Sequence, residues 1–264
     1  MFAIVRKTLF EKRFAILGWS IGAAFMVWLT MIFYPSFSQG NQLSDLIQSL
    51  PPQLQGLVGK AADYKTIGGY VDTVVFNLRV PLVTIIMAIT FGISISAGDE
   101  EQGVLSTLLA QPVSRTRVLA EKLAALVTSI FVVHAAVLTG LLLSLVGIGE
   151  SYSFDKLLSV TFGCFVLSLL FGVLAFGLGC LTGRRNLSMG IVSIVAFGSF
   201  LIDSMASSVA GLSTVQKFLP FYYYTTPSLA VNGVDWSYIF IQAVAIAAII
   251  GVAWAWFRHR DIAV

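Results

Sequence analysis

Few residues of this sequence have the types and spacing that catalysis requires. Its two histidines, His134 and His259, do not stand in the H-E-x-x-H pattern that binds catalytic zinc. The segment from Gly18 to Gly22 matches the G-x-S-x-G pattern of serine hydrolases, but that pattern belongs on a strand-to-helix turn, and here it lies within a long apolar run. Two glycines four residues apart are also typical of closely packed membrane helices, and we favour that interpretation.

The sequence also lacks a loop that could bind and hydrolyse a nucleotide. A phosphate-binding loop has the pattern G-x-x-x-x-G-K-[ST], and the Lys-Thr pairs at residues 7–8 and 65–66 have no such glycines before them. We therefore expect no catalytic residue, no cofactor-binding residue and no metal ligand in this chain.

The composition predicts a protein that lies largely in lipid. Of the 264 residues, 57% are hydrophobic and 11% are charged, whereas soluble domains carry about 25% charged residues. So few charges cannot cover a soluble globule of this size. The sequence has no basic cluster large enough to bind a nucleic acid, so we exclude that class of partner.

Six apolar segments are near or above the length of about 20 residues that a helix needs to cross a bilayer. They lack the alternation of a membrane β-barrel, so the predicted fold class is an all-α integral membrane protein with one domain over residues 1–264. The predicted spans are about 14–34, 78–98, 118–147, 157–182, 187–207 and 236–257.

The distribution of lysine and arginine predicts that both termini are cytoplasmic. Six spans place both ends on one side, and this orientation puts eleven Lys and Arg residues inside and five outside. The long first outside segment, about residues 35–72, has apolar residues at helical spacing on both sides of Pro51-Pro52. We expect it to form short amphipathic helices at the outer face.

Four residues are candidates for a pathway or gate. Asp203 is the one acidic residue predicted within membrane depth, where a charge is costly and often functional, although it could instead mark the outer end of the fifth span. Arg79 stands at the outer start of the second span. Tyr222 and Tyr223 belong to an aromatic tract, for which a belt at the membrane interface and a direct substrate contact are both open.

Small residues recur every four positions on the fourth span, at Ala175, Gly179 and Gly183. This spacing indicates tight helix packing, either within the bundle or between two copies of the chain.

The first inside loop has the clearest pattern of any connection. Acidic residues, Asp99 to Glu101, stand at the start of a predicted helix over about 99–111, where negative charge is favoured, and Pro112 ends it. Its apolar residues share one face: Val104, Leu105, Leu108 and Leu109. We therefore expect a short amphipathic helix between spans two and three whose apolar face needs a partner. A helix that touches only lipid headgroups is the alternative.

Three motifs resemble those of type-2 ATP-binding-cassette (ABC) exporter permeases. The loop Glu101-Gln102-Gly103, followed by Thr107-Leu108-Leu109, Pro112-Val113-Ser114-Arg115 and Lys122, is similar to that family's cytoplasmic loop, with Val104 in place of its usual Thr. The tract 219–224 and the tail 256–262 resemble the segment before the last span and the C-terminal end. Each motif alone is weakly specific, but the three lie in register with six spans over essentially the whole chain.

The resemblance implies that the short inside helix is a coupling helix, which docks into a groove on a separate ATPase subunit. It implies that two permease subunits pair above two ATPase subunits, with ATP and Mg bound by the partner, in the inner membrane of a bacterium or archaeon. On this reading Glu101, Gly103, Leu105, Leu108 and Pro112 form the ATPase-coupling surface, with the two leucines filling the groove.

Other function classes stay open. An ion- or proton-coupled secondary transporter would carry paired intramembrane acids, and in the sequence Asp203 stands nearly alone. A non-transport membrane scaffold or an intramembrane enzyme is the third class, and the enzyme lacks a catalytic set. A mostly apolar and aromatic pathway favours a hydrophobic or amphipathic cargo.

Overall fold

Six long apolar helices dominate the computed structural model of this protein, which describes residues 3–39, 64–110, 113–206, 209 and 211–259. Within those residues every regular element is helical and no strand occurs. Each of the six is long and apolar enough to cross a membrane. The predicted fold class, an all-α membrane protein with six spans, is therefore confirmed.

The six spans are joined by short helices. In chain order the helices are α1 (Ala3–Ile32), α2 (Tyr34–Gln39), α3 (Ile67–Glu101), α4 (Val104–Leu109), α5 (Arg115–Ile148), α6 (Phe154–Thr182), α7 (Arg185–Met205), α8 (Leu212–Gln216), α9 (Tyr222–Thr225), α10 (Leu229–Asn232) and α11 (Trp236–His259). The long helix α3 widens into π-helical stretches near both ends, at Val71–Arg79 and Ser94–Gly98.

Several helix bounds differ from the sequence-based spans. Helices α1 and α3 start at Ala3 and Ile67 rather than near residues 14 and 78, because the polar residues that flank the apolar runs continue the helices. Of the predicted outer segment 35–72, the first residues belong to α2 and the last to α3, and residues 40–63 lie outside the described part of the chain. The helix predicted over 99–111 is interrupted at Gly103, whose φ of 70° lies in the left-handed region that glycine adopts readily.

Helices α3 and α6 form the centre of the bundle because small residues face each other across their contact. A Cβ added to Gly92 would meet the backbone oxygen of Gly172, and one added to Gly179 would meet the side chain of Ser96. Glycine at such positions lets two helix backbones approach closely, which is the main source of packing energy between helices in lipid. Around this pair, α5, α7 and α11 pack on α6, and α1 packs along α5.

The two ends of the bundle are distinguished by which helix ends they bring together. At one end, called here the terminal end, the backbone N–H of Ile4 donates to Glu121 at 2.9 Å and Arg115 donates to the carbonyl of Phe257 at 3.3 Å. At the opposite end, called the far end, the hydroxyl of Tyr70 donates to the carbonyl of Thr30 at 2.9 Å. The starts of α1 and α5 and the finish of α11 therefore meet at the terminal end.

Candidate functional site

The segment 99–110, called here the α3–α5 connection, is tied to two spans at the terminal end. Asp99 accepts a hydrogen bond and ion pair from Lys122 of α5 at 2.7 Å, and the same ammonium group donates to the carbonyl of Ile95 at 2.9 Å. Lys122 is only 3% exposed. A charged side chain is stable at that depth only when it is paired and hydrogen-bonded, and Lys122 meets both conditions.

Glu101 links the same connection to α7. Its carboxylate accepts the backbone N–H of Arg185 at 2.9 Å. Arg185 is the first residue of α7, where backbone N–H groups have no partner within the helix and a negative charge is favourable. The α3–α5 connection therefore contacts α5 through Asp99 and α7 through Glu101.

The short helix α4 buries one residue of its apolar face, Leu105, against the bundle. Leu105 is 3% exposed and packs near Val118 and Phe257. The sequence pattern predicted an apolar face that needs a partner, and in the structure Leu105 of that face packs into the core of the spans. Leu108 is half-buried and Thr107 is exposed. Pro112, the last predicted coupling residue, lies outside the described residues.

A polar cavity of about 300 Å³ lies at the far end, between α3, α7 and the short helices that precede α11. The residues that give it polar character are Asp72, Thr73, Asn77, Asp203, Gln216 and Thr225. None of the described residues that line it is a lysine, arginine or histidine. Two carboxylates therefore face a cavity whose described walls offer no cationic side chain.

Asp203 forms part of this polar cavity and also fastens α7 to the segment that follows it. One carboxylate oxygen accepts a hydrogen bond from the Gln216 amide at 2.7 Å, and the other accepts one from the Thr225 hydroxyl at 2.8 Å. On the opposite wall, Asp72 accepts the backbone N–H of Ala230 at 3.2 Å. The two carboxylates thus position helices α8, α9 and α10 over the end of the bundle.

The aromatic tract divides between the cavity and the far-end surface. Tyr224 lines the polar cavity, is buried, and donates its hydroxyl to the carbonyl of Phe76 at 2.7 Å. Burial raises the pKa of Tyr224 well above its ordinary value, so the hydroxyl stays protonated and remains a donor. Its neighbours Tyr222 and Tyr223 instead cluster with Tyr238 of α11, with ring centroids 5.3 to 6.1 Å apart.

Arg79 lies away from this cavity. Its side chain is exposed and its guanidinium donates to the carbonyl of Val74 within the π-helical stretch of α3. Of the four predicted pathway or gate residues, the structure therefore places only Asp203 in the wall of the polar cavity. Sequence reasoning missed Asp72, Gln216 and Thr225, since Asp72 was assigned to a loop and the other two carry no motif.

An apolar groove of about 330 Å³ runs along the side of the bundle between α3 and α7. Its walls include Leu78, Leu82, Ile86, Ser193, Phe197 and Phe200. The side chains that α7 buries fully are short ones: Ser188, Val192, Ala196, Ser199 and Ser204.

The predicted packing residues fall into two groups. Ala175 and Gly179 face α3 inside the bundle, and Gly183 has a φ of 63° and ends α6 by donating its N–H to the carbonyl of Gly179 at 2.9 Å. Gly18 and Gly22 are exposed on α1, and a Cβ at either position would meet no atom within 4 Å. Ala175 and Gly179 therefore pack within the chain and Gly183 ends α6, whereas Gly18 and Gly22 lie on an exposed face of α1.

One protein-family model covers nearly the whole chain. A family model described as "ABC-2 family transporter protein" matches residues 3–262, which include all six spans, the α3–α5 connection and the polar cavity. No curated protein matches the chain.

Proposed function

This chain belongs to the ABC-2 family of transporter proteins, and from that premise we propose that it is the membrane subunit of an exporter driven by a separate ATPase subunit. The family makes it a multi-pass permease subunit of an ABC transporter. The observation that carries the proposal is the match over residues 3–262 of a chain that has no phosphate-binding loop of its own. The energy for transport then comes from a partner that binds ATP and Mg.

The proposed docking surface for the ATPase is the α3–α5 connection. It lies at the same end as the N-terminus, which the charge distribution assigns to the cytoplasm. Glu101 and Thr107 are exposed there and Leu108 is half-buried, so these residues would meet the partner. Leu105, being buried, would instead hold the connection against the spans, and Gly103 would set the break between α3 and α4.

The proposed route of coupling follows the two polar links of this connection. A displacement of the α3–α5 connection by the ATPase would pull on α5 through Asp99 and Lys122, and on α7 through Glu101. Helix α7 forms one wall of both the apolar groove and the polar cavity. Movement at the terminal end would therefore change the shape of a substrate pathway along α7.

A second copy of the permease would complete that pathway. The apolar groove is open at the side of the chain, and the exposed glycines Gly18 and Gly22 lie on the free face of α1. We propose that two copies pair in the inner membrane of a bacterial or archaeal cell, with an ATPase subunit beneath each.

One structural observation favours a different class of transporter. Asp72 and Asp203 line the same cavity, as an ion- or proton-coupled carrier would require. Family membership supports the ATP-driven mechanism over this alternative, and ATP dependence of transport separates the two.

The experiment is co-purification of the chain from its native membrane in mild detergent, followed by an ATPase assay. We expect a nucleotide-binding subunit to accompany the chain. Glu101→Arg should preserve membrane insertion and reduce ATP hydrolysis by the complex, because it removes the acceptor for the Arg185 N–H and places a cation at a helix N-terminus.

The matched control is Glu11→Arg, which reverses an exposed charge at the terminal end and loses only a surface ion pair. A chain that purifies alone in every preparation, without ATP hydrolysis, would contradict the proposed function. A complex with full activity in Glu101→Arg would remove Glu101 from the coupling route.

A further inference from the structure

The polar cavity and the apolar groove adjoin, because the same helices line both. On α7, Phe200 faces the groove and Asp203, one turn later, faces the cavity. On α3, Leu78 lines the groove while its neighbour Asn77 lines the cavity. The two concavities therefore lie at neighbouring levels of α3 and α7.

The aromatic tract marks the border between the two parts. Phe221 lines the groove and packs edge-on against Phe200 with ring centroids 5.6 Å apart, whereas Tyr224 lines the cavity. A ligand that occupies both parts would pass these rings with its apolar portion on one side and its polar portion on the other.

The two parts require opposite chemistry from a ligand. The described walls of the cavity include the Asp203 carboxylate, whose described hydrogen-bond donors Gln216 and Thr225 are neutral, so the cavity favours a positively charged head. The described walls of the groove are apolar apart from the hydroxyl of Ser193. From Leu78 to Ile89 the groove follows α3 for about 16 Å, which suits an extended hydrocarbon chain.

Asp203 retains the capacity to bind such a head. Each of its oxygens accepts one hydrogen bond, from Gln216 or from Thr225. A carboxylate offers about four acceptor sites, so about two remain for a ligand. The existing bonds also fix the direction of the carboxylate before the ligand arrives, which lowers the entropic cost of binding.

We propose that the polar cavity and the apolar groove together bind a cationic amphiphile, with its amine head at Asp203 and Asp72 and its hydrocarbon tail between α3 and α7. The claim that this ligand is exported rests on the proposed function. The claim that the chain binds it depends only on the geometry of the cavity and the groove.

The test measures binding of tritiated dodecylammonium, whose primary ammonium head can donate hydrogen bonds to a carboxylate, to the full-length chain in phosphatidylcholine nanodiscs, without ATP or an ATPase. We expect saturable binding that dodecanol, with the same tail and no charge, displaces poorly. Asp203→Asn should weaken binding by about tenfold, which corresponds to the loss of one interaction with a charged group. Ser193→Trp should also weaken it, because the indole fills the groove from an exposed position.

The matched control is Asp155→Asn, which removes an exposed carboxylate at the far end that does not line the cavity. Equal affinity of Asp203→Asn and wild type, or equal displacement by dodecanol and by unlabelled dodecylammonium, would overturn the proposal. If Asp203→Asn fails to fold, Asp72→Asn decides the question by the same criterion. If the chain does not bind the probe but still forms an active complex with its ATPase, the proposed binding site is wrong and the proposed function stands.

Discussion

At the residue scale, the Lys122–Asp99 ion pair is a largely buried contact that a single substitution would disrupt. Lys122 is nearly fully buried, and its ammonium group bridges Asp99 and the carbonyl of Ile95. Replacing the lysine would leave a largely buried carboxylate without its counter-charge, a loss that a surface pair does not cause.

We predict that Lys122→Met lowers the free energy of unfolding by about 2–3 kcal/mol, somewhat below the range for a fully buried pair because the Asp99 side chain is 18% exposed. The measurement is the thermal unfolding midpoint of the purified chain in detergent. Adding Asp99→Leu to Lys122→Met should recover part of the loss. Lys7→Met serves as the control, since its pair with Glu11 is exposed on both sides, and a midpoint equal to that of the control would contradict the prediction.

The sequence indicates which residues of the α3–α5 connection are unusual, but not what they contact. Glu101 stands out because it belongs to an acidic helix start, yet its partner Arg185 lies 84 residues further along the chain. Leu105 stands out as apolar on a short amphipathic helix, and that pattern cannot distinguish a face that packs on the same chain from one that awaits another protein. Only the tertiary structure supplies these partners.

At the element scale, the small residues of two helices have different neighbours. Gly179 on α6 lies against Ser96 and Ala97 of α3, whereas a Cβ added to Gly18 on α1 would have no neighbour within 4 Å. The same four-residue spacing therefore lies against a neighbouring helix on α6 and on an exposed face on α1, and the sequence left open which was which.

We predict that Gly179→Val lowers the stability of the chain by about 1–3 kcal/mol, because the added side chain would collide with Ser96 and the backbone of Ala97. Gly18→Val should leave that stability unchanged and reduce pairing of two copies. The measurements are the unfolding midpoint and chemical cross-linking of copies in the membrane. Equal midpoints for the two variants would contradict the assignment of Gly179 to internal packing.

The existence of the six spans could be predicted because length and apolar composition alone decide it. Their bounds could not, because α1 and α3 extend through polar residues whose backbone hydrogen bonds continue the helix. The left-handed φ of Gly103, which divides α3 from α4, is also invisible in an amphipathic pattern that runs through the break.

At the scale of the whole molecule, the predicted orientation in the membrane rests on eleven basic residues assigned to one side and five to the other. The contacts of Ile4 with Glu121 and of Arg115 with Phe257 place the first and last described helices at one end. Asn186 is exposed near that end and Asn232 near the other.

We predict that a membrane-impermeant maleimide labels Asn232→Cys, but not Asn186→Cys, on intact cells. After the membrane is permeabilised, both should react. The native thiols of Cys164 and Cys180 are buried and should give little background. If Asn186→Cys alone is labelled on intact cells, the predicted orientation is wrong. The proposed ATPase-docking surface would then lie outside the cell, where it could not meet an ATPase.

The polar cavity could not be predicted at this scale. Asp72, Asp203, Gln216 and Thr225 come from α3, α7, α8 and α9, and no sequence spacing links them. Asp203 alone was singled out, because a carboxylate in an apolar segment is unusual wherever it stands.

The way that α7 is held has a mechanical consequence. Its first residue is held by Glu101 and its last turn by Gln216 and Thr225, and the residues that it buries fully have short side chains. A rigid rod of about 30 Å that tilts by a few degrees about its middle swings its two tips in opposite directions. Such a tilt of α7 would thus narrow the proposed substrate pathway at one membrane face and widen it at the other.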